Sequence, residues 1–243
     1  MIKRILFIFI LLVSSLSFSQ LSKNHYIPPI SSGPSNADPL DQLMYISTPS
    51  QGDVNFTINI VGGNSISGTV SNATPYVYGI ADSGYSSFVQ DPATTSRVTS
   101  DKGYIINADS PIYVSVRLNA GNNAQAGALV SKGENALGTT FRIGTYDNQG
   151  SPGSNYLNFF SFMATEDNTT VNLTNERVTS GLQIQNAGAQ QFPINNISLN
   201  RGQTYVVAVK PQDTNENRAG LIGTLVSSDK PIVVNSGSAN GSF

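Results

Sequence analysis

Between Asp53 and Ile60 the chain reads DVNFTINI, in which Val54, Phe56, Ile58 and Ile60 alternate without a break with Asp53, Asn55, Thr57 and Asn59. A period of two is that of a strand with one face in a core. If each apolar side chain gains about 1.5–3 kcal/mol on burial, a one-residue slip forfeits roughly 6–12 kcal/mol over the four, so burial fixes the register. Val61-Gly62-Gly63-Asn64 then signals a turn into Ser65–Val70, and the pair predicts a β-hairpin. The same alternation recurs at Ile112, Val114, Val116 and Leu118, and at Tyr205, Val207 and Val209. No window keeps apolar residues at helical spacing for three turns. The nearest, Gln125–Leu137, is interrupted by Gly127 and Gly133, so little or no helix is expected and the fold class is all-β.

Two blocks of this pattern occur twice. Thr48, Val54, Asn55 and Thr57 recur as Thr165, Val171, Asn172 and Thr174, each 117 residues on. Gly103, Asp109, Pro111, Ile112 and Val114 recur as Gly223, Asp229, Pro231, Ile232 and Val234, each 120 residues on. Order and spacing agree, so the sequence implies an internal duplication. The second block has a strand, then Asp, one residue and Pro, then another apolar run. Proline lacks an amide hydrogen and holds its predecessor extended, so Asp109, Pro111, Asp229 and Pro231 are expected to be the corners of a repeated strand–corner–strand unit.

A repeat of this length is too long for a propeller blade or solenoid coil and suits a module of seven or eight short strands. Two tandem, related β-sandwich-like modules are therefore expected. The organisation is a leader at 1–19, an extended arm at 20–42, a first module at 43–145 and a second at 146–243. Gln125–Ser131 and Leu137–Gly144 read as closing strands of the first module with no counterpart after the second. The second module is accordingly expected to be truncated, with further repeats in a longer chain.

Composition narrows the setting. Lys3 and Arg4 precede a nine-residue apolar run, Ile5–Val13, and then small polar residues, which is the pattern of a secretory signal peptide ending at Ser19. The run is too short to span about 30 Å of hydrocarbon, so no transmembrane anchor is expected, and the mature chain would have 243 − 19 = 224 residues. Thirteen basic and 15 acidic residues, scattered singly, make nucleic acid an improbable partner. With no Cys, an exported chain must rely on packing and sheet hydrogen bonds. The 22 Gly and 12 Pro indicate turns and not disorder.

Four stretches carry a family resemblance: LSKNHYIPPI (Leu21–Ile30), DQLMYISTPS (Asp41–Ser50), AGALVSKGENALGTTFRIG (Ala126–Gly144) and LIGTLVSSDKPIVVNSGS (Leu221–Ser238). They resemble the IgGFc-binding-protein N-terminal family, in particular its bacterial members, which are large secreted, gliding-motility-associated or type IX-sorted surface proteins. The resemblance implies a secreted, non-enzymatic cell-surface or extracellular interaction protein, an adhesin among the possibilities, with a protein or glycan ligand. It implies no cofactor and supplies no catalytic residues.

Chemistry-bearing residues are sparse. The single histidine, His25, lies in the arm and reads as a half-exposed residue docking on a sheet. Ser227-Ser228-Asp229-Lys230 fits Ser-x-x-Lys, but that chemistry needs the two residues one helical turn apart, and Pro231 places them at a strand corner. Glu134, Glu166, Asp167 and Glu176 are the acids that a carbohydrate-active domain would need to pair, and a carbohydrate-active or peptidolytic domain is the alternative function. A passive stalk is a second alternative. Asp213–Asn217 alternates oxygen ligands like the start of a calcium loop, but Arg218 stands where Gly is required and the segment reads as a solvated loop. The loop NAGNNAQAG supplies the candidate ligand contacts, Asn119, Asn122, Asn123 and Gln125, since amides at a sheet end can bond sugars or peptides and are also common turn formers. Asn55, Asn72, Asn168, Asn172, Asn196 and Asn240 begin N-x-S/T sequons.

Overall fold

The computed structural model describes residues 20–32, 39–120, 126–147, 157–176, 182–187, 192–210 and 215–239 and is nearly all β. The chain lays down β1 (Ser22–Ile27), β2 (Ile30–Ser31), β3 (Pro39–Ser47), β4 (Val54–Ile60) and β5 (Ser65–Val70). Next come β6 (Tyr76–Ser83), β7 (Val89–Gln90), β8 (Val98–Thr99), the 17-residue β9 (Tyr104–Ala120) and β10 (Ala126–Val130). β11 (Gly138–Arg142), β12 (Leu157–Ala164), β13 (Thr169–Thr174), β14 (Ile194–Leu199) and β15 (Thr204–Ala208) follow, then a one-turn helix, α1 (Asn215–Ala219), and the 15-residue β16 (Leu225–Ala239). No helix among the described residues is long and apolar enough to cross a membrane.

DVNFTINI folds as its alternation dictates. Val54, Phe56 and Ile58 are buried, Ile60 packs against the same core, and β5 pairs with β4 in the predicted hairpin with Val54 opposite Val70 and Ile58 opposite Ile66.

Each seven-stranded sheet is organised by one long, late strand. In the first, of order β5-β4-β9-β3-β6, the N-terminal half of β9 pairs with β4 on one edge and β1 on the other. Its C-terminal half pairs with β3 and β10. In the second, of order β14-β13-β16-β12-β15-β8, the start of β16 pairs with β13 and β11 and its end with β12. Because each hub changes partners midway, the sheets curl into half-barrel and near-barrel shapes, and the sandwich-like layering is one sheet closing over its own core. Phe56, Ile58, Ile106 and Val114 help fill the first core, and Phe160, Phe162, Val171 and Val226 the second. Ile105, Met163 and Val233 form a smaller cluster with residues of both sheets. Two-residue β8, from the first half of the sequence, pairs with β15, where Thr99 and Thr204 hydroxyls bond at 2.8 Å.

The two hubs carry matching hydrogen bonds near the points where their partners change. Thr48 Oγ1 donates to the carbonyl of Pro111 at 3.0 Å, and Thr165 Oγ1 donates to the carbonyl of Pro231 at 2.6 Å. Asp109 accepts from Asn55 Nδ2 at 2.8 Å, while Asp229 accepts from the Thr170 backbone N–H at 2.7 Å. Gly103 and Gly223, which precede the hubs, have φ of 97° and 83°. A Cβ on Gly103 would lie 2.4 Å from Met163 Cε and 2.7 Å from the Ile27 carbonyl, so glycine is required there for both conformation and space.

Two expectations need correction. Leu137–Gly144 supplies no closing strand to the first sheet: β11 pairs with β16, in the place that β1 takes on β9. Adjacency to β10 in sequence suggested otherwise, but on the edge of β9 the place before β10 is already filled by β1. Ser22–Ile27, read as part of an extended arm, is a full strand in register with Tyr104–Ile112.

Replacing Thr48 or Thr165 with Val keeps the shape and leaves a proline carbonyl without its hydroxyl donor. Each variant is expected to lose about 1–3 kcal/mol in chemical denaturation, with Ser retaining more of the stability than Val.

Candidate binding groove between the two sheets

The amide loop that the sequence singles out begins at the end of β9. Asn119 is exposed and opposite Ala126, and its Nδ2 donates to Asp41 Oδ2 at 2.9 Å. Asp41 sits in the irregular part of β3 with φ of 47°, so the Asn119 amide braces a strand irregularity. Asn122, Asn123 and Gln125 lie outside the described residues. Asp109, Pro111, Asp229 and Pro231 make the hydrogen bonds described above, and none of those bonds involves Asp41, the amide loop's partner.

Beyond that loop, β10 borders a groove of about 130 Å³ between the sheets. Gly127, Ala128 and Leu129 line one part of it and Asn235–Ser238 of β16 another, with Phe88 and Phe159 among the apolar contributors. Every lining residue is uncharged. Cross-strand partners share a face, so Phe159 with Gly237, Ser161 with Asn235 and Met163 with Val233 form one surface of the second sheet. Gly237 makes room for an aromatic ring, since a Cβ there would stand 3.2 Å from Phe159 Cζ. The sequence carried a pointer to this surface, because Asn235–Ser238 stand 120 residues after Ser115–Leu118, which pair with β10. A second hollow of about 320 Å³ is lined by Arg142, Asn175, Glu176 and Gly223. There Arg142 Nη1 bonds the Gly223 carbonyl at 3.0 Å and Asn175 Nδ2 bonds the Gly220 carbonyl at 2.8 Å.

The remaining candidates are engaged structurally. Ser227 and Lys230 are three residues apart on a strand and so point to opposite faces; Ser227 Oγ donates to the Asn172 carbonyl, and Lys230 Nζ to the Asp167 carbonyl. Glu134 accepts from Ser22 Oγ and Asn24 Nδ2, and Asp167 from the Arg201 backbone N–H. Of the calcium-loop lookalike, Asn215–Asn217 begin α1. Asn217 is buried there, accepting from the Gln183 N–H at 2.9 Å and donating to the Lys210 carbonyl at 3.0 Å, so the solvated loop expected of these residues is replaced by a helical clamp. Among the described residues no group of three or more His, Asp or Glu could hold a metal ion. The sequon residues Asn172 and Asn196 are tied together, the side chain of the first accepting from the N–H of the second at 2.9 Å.

His25 corrects a further expectation, for it is fully buried and not half-exposed. Its Nε2 lies 3.1 Å from the Ser22 carbonyl and 3.0 Å from the Ile112 carbonyl. Carbonyls only accept, so Nε2 carries the proton and Nδ1 accepts from Ser131 Oγ at 2.9 Å. The ring thus ties β1 to β9 and to the end of β10. The bulge between Ser22 and Asn24 breaks the strand's alternation and turns His25 inward.

A family model described as IgGFc binding protein matches residues 127–243, from within β10 to the end of the sequence. No curated protein and no solved structure matches the chain.

Desolvation by burial lowers the His25 pKa below 6.5, against the smaller opposing effects of its backbone hydrogen bonds and Glu134. The unfolded chain then binds a proton that the folded chain refuses, so stability is full above about pH 6.5 and falls as the pH drops below it. With no second histidine to confuse the titration, His25→Gln should flatten this part of the stability–pH curve while lowering stability at pH 7.5, as read by denaturation at each pH.

Proposed function

We propose that this chain is an extracellular, non-enzymatic interaction protein. The observation that carries the reading is the match of residues 127–243 to the IgGFc binding protein model. The leader-like residues 1–19 support export, and the groove between β10 and β16 offers an uncharged binding surface held by two sheets. The repeated corners, their matching hydroxyl bonds and the parallel roles of β9 and β16 support two related β units. The pairing of β10 with β9 and of β11 with β16 supports a boundary between the two units just after β10. The finer reading, an adhesive surface protein of the gliding-motility-associated or type IX-sorted kind in a longer repeat chain, rests on the four sequence stretches quoted above.

The purified protein is expected to bind saturably to at least one member of an array of immunoglobulin Fc, matrix glycoproteins and glycans, and to release no product from glycan or peptide substrates. Turnover that is lost on replacing Glu134 or Glu176 would replace this reading with an enzymatic one.

A further inference from the structure

The two hubs differ at one edge. In the first sheet β10 covers β9 along Ser115–Asn119, and the Ser131 N–H bonds the Val114 carbonyl at 3.0 Å. In the second, Ile232 is flanked on both edges, by Gly138 of β11 and Ala164 of β12. From Val233 to Ala239 only the β12 edge is paired, and among the described residues no strand takes the other. The uncovered residues include Asn235–Ala239, 120 positions after those that β10 covers. Burial follows the difference: Val114, Ser115 and Val116 are buried, whereas Val234, Asn235 and Ser236 are only partly so.

We propose that the Asn235–Ala239 edge of β16 is an acceptor for an extended strand of a partner polypeptide, added antiparallel as β10 is added to β9. The inference deepens the binding function proposed above and rests on it, since it is that reading which requires a separate partner. An open edge with a hydrophobic sheet behind it is a template for strand addition, in which backbone hydrogen bonds supply affinity and side-chain pockets supply selectivity.

The first sheet sets the chemistry of the occupant. Leu129 of β10 pairs with core-facing Val116 and packs on the core, while neighbouring positions are Gly127 and Ala128. A strand on β16 in the same register places an apolar residue opposite Ser236, above the partly uncovered Val234 that packs on the second core. The residues opposite Asn235 and Gly237 face the groove, already bounded by Phe159 and by β10; at the matching positions, opposite Ser115 and Arg117, β10 carries Val130 and Ala128. A groove lined without charge calls for an uncharged strand. The partner segment is therefore about five residues long and uncharged, with an aliphatic residue opposite Ser236 and small or aliphatic residues on either side of it.

A synthetic peptide with the sequence of residues 125–132, QAGALVSK, is the probe. It is expected to bind the protein saturably and to slow amide hydrogen exchange at Asn235–Ala239 at least tenfold. Peptides carrying Ala128→Pro or Leu129→Lys should bind at least tenfold more weakly, and neither change touches the fold of the protein. Absent binding, or protection at Ser115–Asn119 in place of β16, overturns the proposal. So does self-association of the protein that the peptide abolishes, which would make a second copy the occupant. If an array ligand is found and saturating peptide leaves its binding unchanged, the interaction function stands and the strand-acceptor site falls. If the peptide binds and the array is empty, the acceptor edge stands and the extracellular interaction reading falls.

Discussion

A strand that serves two sets of neighbours must keep its backbone groups paired where the partners change, and the rest of this molecule depends on how β9 and β16 do so. The proline there removes one donor from the accounting, since it has no N–H to satisfy. Its carbonyl still needs a partner, and in both hubs a threonine just past the end of a paired strand provides it, Thr48 after β3 to Pro111 and Thr165 after β12 to Pro231. One continuous strand thereby contributes to both sides of a curled sheet, so Ile106 and Val114 of β9 lie in the same core though their partners belong to different strand sets.

Legibility in the sequence tracked local constraint. The β4–β5 hairpin was readable because one face is buried and the other wet, which writes itself as alternation. The matching Thr-to-proline-carbonyl bonds of the two hubs fall on residues that recur in the sequence at offsets of 117 and 120. β12 left no such trace: LNFFSFMA is buried at every position, with one face toward the second core and the other toward the first sheet, and a strand covered on both sides loses the period of two. The placement of β11 was not legible either, because strand order is decided by which edges are free.

The candidate site was legible only in part. Asn119 was found through its residue type, and the structure gives it a bracing role beside Asp41. The groove depends on Phe159, Gly127 and Asn235–Ser238, which are distant in sequence and carry no charge or unusual chemistry. Only the 120-residue offset pointed to it. His25 was visible as the single histidine, but its burial follows from a β-bulge two residues earlier, which no composition argument reveals.

The position of the hubs along the chain has a kinetic consequence. β9 comes after five of the six strands that it organises into the first sheet, and β16 after every strand of the second. Until each hub is available, the earlier strands have only partial partners, such as β4 with β5, β3 with β6 and β12 with β15, and pairings such as β1 with β9 or β8 with β15 must close long loops before any contact rewards them. Folding of either sheet therefore waits for its last long strand. A chain emerging from its N-terminus therefore leaves most of its strands without their full set of neighbours until the hubs follow.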